Sequence, residues 1–162
     1  MEISLFTKCL FEFIGTLVLV LLGDGVVAST VLKRSKGFDG GWIVITIAWG
    51  LAVMCGVLIA GPWSGAHLNP AVSVGLAVAG SFPWAYVPGY VAAQLLGGFC
   101  GAVVVYLYYK DHFDATDDPA AKLGVFCTMP AIMDKPRNLF CEVVGTFLLV
   151  FVILAIGNEQ NT

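Results

Sequence analysis

Charge is what this chain has least of. Only 12% of its 162 residues are Asp, Glu, Lys or Arg, about half the share of an ordinary soluble domain. With 59% hydrophobic residues and a mean hydropathy of +0.89, a soluble globular fold is excluded, and the chain reads as a polytopic protein of the lipid bilayer. The net charge is −3 and no extended basic run occurs, so a nucleic-acid partner is not expected. Histidine is nearly absent. His67 and His112 are the only two, and neither has a neighbouring cluster of metal-ligand residues. The five cysteines (Cys9, Cys55, Cys100, Cys127, Cys141) are odd in number and form no Cys-x-x-Cys pair, so neither a disulfide framework nor a metal site is implied. No cofactor is expected. The apolar run from Cys9 to Leu32 is too long for a signal-peptide core and contains Glu12.

Four apolar runs are long enough to span a bilayer. They cover about Lys8–Leu32 (interrupted by Gly23-Asp24-Gly25), Trp42–Ala60, Trp84–Tyr109 and Asn138–Ile156. Lys33–Gly41 reads as a short polar connection. Lys110–Arg137 holds five of the eleven acids and three prolines, and reads as a solvent-exposed loop in which His112 is simply solvated.

Between the second and third spans lies Ser64-Gly65-Ala66-His67-Leu68-Asn69-Pro70-Ala71-Val72, a turn-forming peptide in apolar surroundings. Asn suits a helix N-cap and Pro the first helical position. The ten residues Ala71–Gly80 carry no charge. As a helix they rise only about 15 Å, half of a hydrocarbon core of about 30 Å. The segment at about 70–80 therefore enters the bilayer without crossing it. Irregular backbone at that depth must be buried in protein or line a watery cavity, so a re-entrant half-helix beside a pore is expected. The partial positive charge of its N-terminus disfavours cations there. Asn69 offers an amide donor and the peptide from Gly65 to Leu68 offers carbonyl acceptors, which together suit neutral hydrogen-bonding solutes.

A repeat reinforces this reading. Glu12-x-x-Gly15-Thr16 recurs as Glu142-x-x-Gly145-Thr146, 130 residues later. The repeating unit holds three spans, and an odd number inverts the second copy, as in many transporters and channels. Within these 162 residues the second unit holds only its first helix. Glu12 and Glu142 lie inside spans, where a carboxylate has a function by default. They are read either as braces for loop N–H groups or as a proton relay. Asp24 is read as an exposed cap near a helix end. His67 is read as bracing the loop, Gln94 as needing a buried partner there, and Trp49 as a packing or pore-lining aromatic. Gly15, Gly97, Gly101 and Gly145 are expected at helix crossings.

These residues resemble the aquaporin superfamily, the major intrinsic proteins. The 64–72 motif is similar to its first half-helix loop, the Glu-x-x-Gly-Thr pair to its repeated first-helix motif, and Gln94-x-x-Gly97 to its third helix. Gly23-Asp24-Gly25-Val26-Val27-Ala28 and Ala48-Trp49-Gly50-Leu51 look most like bacterial glycerol facilitators. The resemblance implies an all-α membrane protein, an aquaporin-like inverted-repeat helix bundle. Four transmembrane helices and one re-entrant half-helix would fall in this chain. The first repeat would occupy 1–110, an extracellular connection 111–137, and the start of a second repeat 138–162. It further implies that Trp49 forms one apolar wall of the outer constriction, that Gly65, Ala66 and His67 supply the carbonyl ladder, that Asn69 is one of two central asparagines, and that Glu12 and Glu142 hold the pore loops. The family's second Asn-Pro-Ala and its constriction arginine are not within this sequence. A homotetramer in the plasma membrane with a cytoplasmic N-terminus is implied, although Lys33, Arg34 and Lys36 would then lie outside, against the positive-inside tendency.

The expected function is passive passage of glycerol and other small neutral solutes, with water. No enzyme chemistry is expected. The rival is a proton-coupled carrier using Glu12 and Glu142. A third reading is a half-channel that conducts nothing alone.

Overall fold

The computed structural model describes residues 3–157. It is all helical among those residues, with four helices long and apolar enough to cross a membrane. Helix α1 spans Leu5–Val31, α2 Gly41–Ser64, α3 Pro70–Val78, α4 Val87–Tyr108, α5 Lys110–Ala115, α6 Pro119–Gly124 and α7 Lys135–Ile156. Residues 158–162 of the expected second-repeat segment lie outside the described residues.

Several of the starts and stops have a local cause. Ser4 caps α1 by accepting from the Thr7 N–H, and Asp134 caps α7 by accepting from the Arg137 N–H. Helix α3 ends where Gly80 takes φ +77°. The Gly80 N–H donates to Ala77 and the Ser81 N–H to Leu76, the paired bonds of a Schellman stop. At nine residues α3 is about 13 Å long. A 3₁₀ turn at Trp84–Tyr86 then leads into α4.

Helix α1 is the centre of the bundle and packs against both α2 and α4. Glycine makes these crossings close. A Cβ on Gly101 would stand 2.7 Å from the Leu17 carbonyl oxygen, and one on Gly97 would strike that of Phe13. On the other side of α1, a Cβ on Gly15 would lie 2.9 Å from Ala60 Cβ. Gly145 differs from its repeat mate: nothing among the described residues lies within 4 Å of a Cβ there, so it marks no crossing in this structure. Helix α7 has no buried residue. It meets the bundle through α3, where a Cβ on Gly75 would stand 2.7 Å from Val150 Cγ1.

Two expectations need correcting. First, Gly23-Asp24-Gly25 does not interrupt α1, and Asp24 is no exposed cap. The helix runs on to Val31 and Asp24 is 8% exposed in its interior. The reason lies across the bundle, because Gly23 leaves room for the Trp49 ring, whose edge would lie 2.6 Å from a Cβ there. Second, the acidic connection is not a free loop. Helices α5 and α6 fold back so that Phe113 and Val125 join Ala28, Leu32 and Val105 in a buried cluster. The Thr116 hydroxyl accepts from the Lys33 N–H at 2.9 Å, and the His112 ring nitrogen Nδ1 donates to the Lys33 carbonyl at 3.1 Å. His112 is thus a clasp on the end of α1. Apolar residues scattered among many acids carried that packing, and the density of charge concealed it. The acids themselves stay in solvent. Lys110 is bonded to Asp114, and that bond raises the lysine pKa above its ordinary value.

Candidate functional site

The peptide joining α2 to α3 has an unusual backbone. Gly65 takes φ +87°, Ala66 +51° and Leu68 +53°. Left-handed geometry at two residues other than glycine costs on the order of 1–3 kcal/mol each, so something must hold it. That something is Glu12, which is fully buried on α1. Its Oε1 accepts from the Ser64 hydroxyl at 2.6 Å and the His67 N–H at 2.9 Å. Its Oε2 accepts from the Leu68 N–H at 2.8 Å and from Gln94 Nε2 at 2.8 Å. Buried polar groups must be paired, and here one carboxylate pairs four donors from three segments.

A second tier of contacts fixes the same peptide. The Ser64 hydroxyl also accepts from the Ala66 N–H at 3.1 Å, and the Tyr90 hydroxyl donates to the Ser64 carbonyl at 2.7 Å. His67 Nδ1 lies 3.0 Å from Ser73 Oγ, which also accepts from Gln94 Nε2 at 3.1 Å. The imidazole packs edge-on against Phe82 and tilted against Tyr90. Leu68 buries its side chain between Gly15 and Gly56. Its side chain is taken up by that crossing, which leaves its backbone carbonyl as the group it can offer.

The outcome is a peptide of one polarity. Its N–H groups at Gly65, Ala66, His67 and Leu68 are all taken, whereas its carbonyls accept nothing from the described residues. Asn69 then caps α3, its Oδ1 accepting from the Ala71 N–H at 2.8 Å. This bond orients the amide and leaves Nδ2 with no partner among the described residues. Acceptors in series end on a donor at the positive end of a helix dipole. Gly65 is exposed, and Ala66, His67 and Asn69 are half-buried.

Not every candidate joins this centre. Trp49 lies on α2 fifteen residues before Ser64, about 22 Å away along the helix. It is half-buried and lines a cavity of about 720 Å³ between α1, α2 and the folded-back connection. Glu142 is exposed on α7 and takes no hydrogen bond among the described residues. It borders a shallower space against α3 with Ala71, Gly75 and Thr146. Sequence reasoning passed over Ser64, Ser73 and Tyr90 as participants. Spacing held a signal for two of them, since Ser73 follows Asn69 by one helical turn and Tyr90 precedes Gln94 by one. No metal-binding cluster occurs among the described residues.

Comparison with known proteins agrees with this geometry. Residues 1–162 match the family described as major intrinsic protein. The chain is 57% identical over 151 residues to a probable glycerol uptake facilitator protein of Thermotoga maritima, covering 93% of this chain and 64% of that protein. It is 52% identical over 151 residues to the glycerol uptake facilitator protein of Bacillus subtilis, covering 93% of this chain and 55% of that one. Among solved structures, the aquaglyceroporin of Plasmodium falciparum superposes with a TM-score of 0.66 at 39% identity, over 72% of this chain and 48% of that one. The chain thus spans roughly half to two-thirds of the length of these relatives. A half-helix capped by Asn-Pro, a buried glutamate gathering the loop that precedes it, and a match along the whole sequence agree with one another: this chain belongs to the major intrinsic protein family.

Proposed function

We propose that the chain forms the first-repeat side of a channel through which glycerol and other small neutral solutes, water included, pass down their gradients. One observation carries the reading. Glu12, Ser64 and the end of α2 consume the N–H groups of residues 65–68, and the four carbonyls beside them accept nothing from the described residues. A solute that both donates and accepts exchanges its water hydrogen bonds for this row, then meets the Asn69 amide. An ion gains too little from carbonyls on one side to leave its hydration shell, and the α3 dipole opposes a cation. The names of the relatives, glycerol uptake facilitators, point to the same solute class.

In this reading Gly65, Ala66, His67 and Leu68 line the passage through their backbones, Asn69 through its side chain, and Trp49 through its ring face. Glu12 and Gln94 brace the loop, and Glu142 does the same for a second, inverted loop. Residues 1–110 form the first repeat, 111–137 an extracellular connection, and 138–162 the opening of the second. The assembly is a homotetramer in the plasma membrane with a cytoplasmic N-terminus.

The structure does not favour a proton-coupled carrier. Both oxygens of Glu12 are committed to two donors each, so a proton has no free lone pair to take without breaking the loop. Stopped-flow light scattering of proteoliposomes holding the intact protein tests the proposal. Glycerol equilibration should run well above that of empty vesicles, and an imposed pH gradient should drive no accumulation. Accumulation driven by that gradient would overturn the channel.

A further inference from the structure

The carboxyl of Asp24 has no part in the loop network, yet it is 8% exposed on a membrane-length helix, about two turns before the end of that helix. It makes no hydrogen bond and no ion pair with any described residue. A carboxyl with so little solvent and no described partner is costly to leave unsatisfied, so it is open to an outside donor. It faces the cavity of about 720 Å³ that Trp49 also lines.

The chemistry of that cavity is lopsided. Asp24 is the one charged side chain among the lining residues. Val27, Ile45 and Val125 make the wall apolar, and the Thr46 hydroxyl is turned back onto the Trp42 and Ile43 carbonyls. The Trp49 ring edge rests on Gly23, the residue before Asp24. An aromatic ring and a strong acceptor therefore line one space. A compact polyol matches both, with its carbon skeleton on the ring and its hydroxyls on the carboxyl.

We propose that Asp24 is a specificity-determining residue that accepts hydrogen bonds from the hydroxyls of a neutral polyol as it passes along Trp49. The proposal rests on the channel reading above and adds a solute contact on the first helix, well away from the Asn69 loop. Water needs this acceptor less, because it has no carbon skeleton to seat against the ring and turns freely to other partners.

Glycerol and water permeabilities of the intact protein in proteoliposomes, at matched protein content, test it. Asp24→Ala should lower glycerol permeability about tenfold, the worth of a hydrogen bond to a charged group, with water permeability changed less than about twofold. Asp24→Asn keeps the shape and one acceptor oxygen, and neutral bonds are about half as strong, so it should fall between wild type and Ala. It also decides the matter if the Ala variant fails to insert. A merely structural role would move both permeabilities together and leave their ratio unchanged. That result, with wild type conducting glycerol, overturns the proposal alone. Wild-type vesicles that pass no glycerol overturn the channel reading and this proposal with it.

Discussion

One carboxylate, Glu12, ties together the end of α2, the 65–69 peptide and α4 by accepting four hydrogen bonds at 2.6–2.9 Å. A glutamine there keeps one acceptor oxygen and turns an N–H₂ toward two of the donors. Each stranded buried donor costs about 1–3 kcal/mol, and the peptide carrying the left-handed backbone of Ala66 and Leu68 loses part of its support. Glu12→Gln should lower the thermal midpoint in detergent by about 10 °C, read by tryptophan fluorescence. An unchanged midpoint would remove Glu12 as the brace. Trp49 makes the other residue-scale prediction. Trp49→Ala should widen the cavity and reduce glycerol permeability relative to water in liposomes, and a constant ratio would count against the ring as a solute wall. Glu12 and Gln94 were legible in the sequence because a charge and an amide inside apolar spans stand out. Asp24 was misread because flanking glycines look like a helix end, whereas one of them serves the approach of Trp49.

At the scale of elements, the helices are positioned by glycine where backbones nearly touch. A side chain at Gly101 has nowhere to go but into the Leu17 carbonyl. Gly101→Val should force α1 and α4 apart, costing at least about 1–3 kcal/mol and lowering the yield of monodisperse protein. Among the described residues α1 has neighbours on two sides, and α7 touches the bundle chiefly along α3. Helix α3, by contrast, was readable from start to stop, since its Asn69 cap, Pro70 opening and Gly80 stop are all local signals.

At the scale of the molecule, the folded-back connection closes one end of the α1–α2 cavity. Phe113 is 5% exposed and stacks on Phe126, their centroids 5.7 Å apart. Removing a buried phenylalanine costs about 3–5 kcal/mol, more than the exposed Lys33–Asp117 pair at 3.3 Å can restore. Phe113→Ala should therefore release the connection before the spans loosen. Limited proteolysis would then cut between residues 110 and 137 at a protease dose that leaves the parent chain whole. Equal cutting rates would show that the cluster does not hold this segment.

The amino-acid sequence by itself determined the membrane-length helices, the short helix that follows Asn69 and the two glutamates that recur with the repeat. Each of these rests on neighbours in the chain: sustained hydropathy, a cap, a proline at the first turn, a glycine at the last. The tertiary structure alone decided that Asp24 is buried beside Trp49, that His112 and Thr116 clasp the end of α1, and that Leu68 turns its side chain into the α1–α2 crossing. Burial of a polar side chain depends on which distant backbone comes close enough to cover it, and that distance is set only when the helices pack.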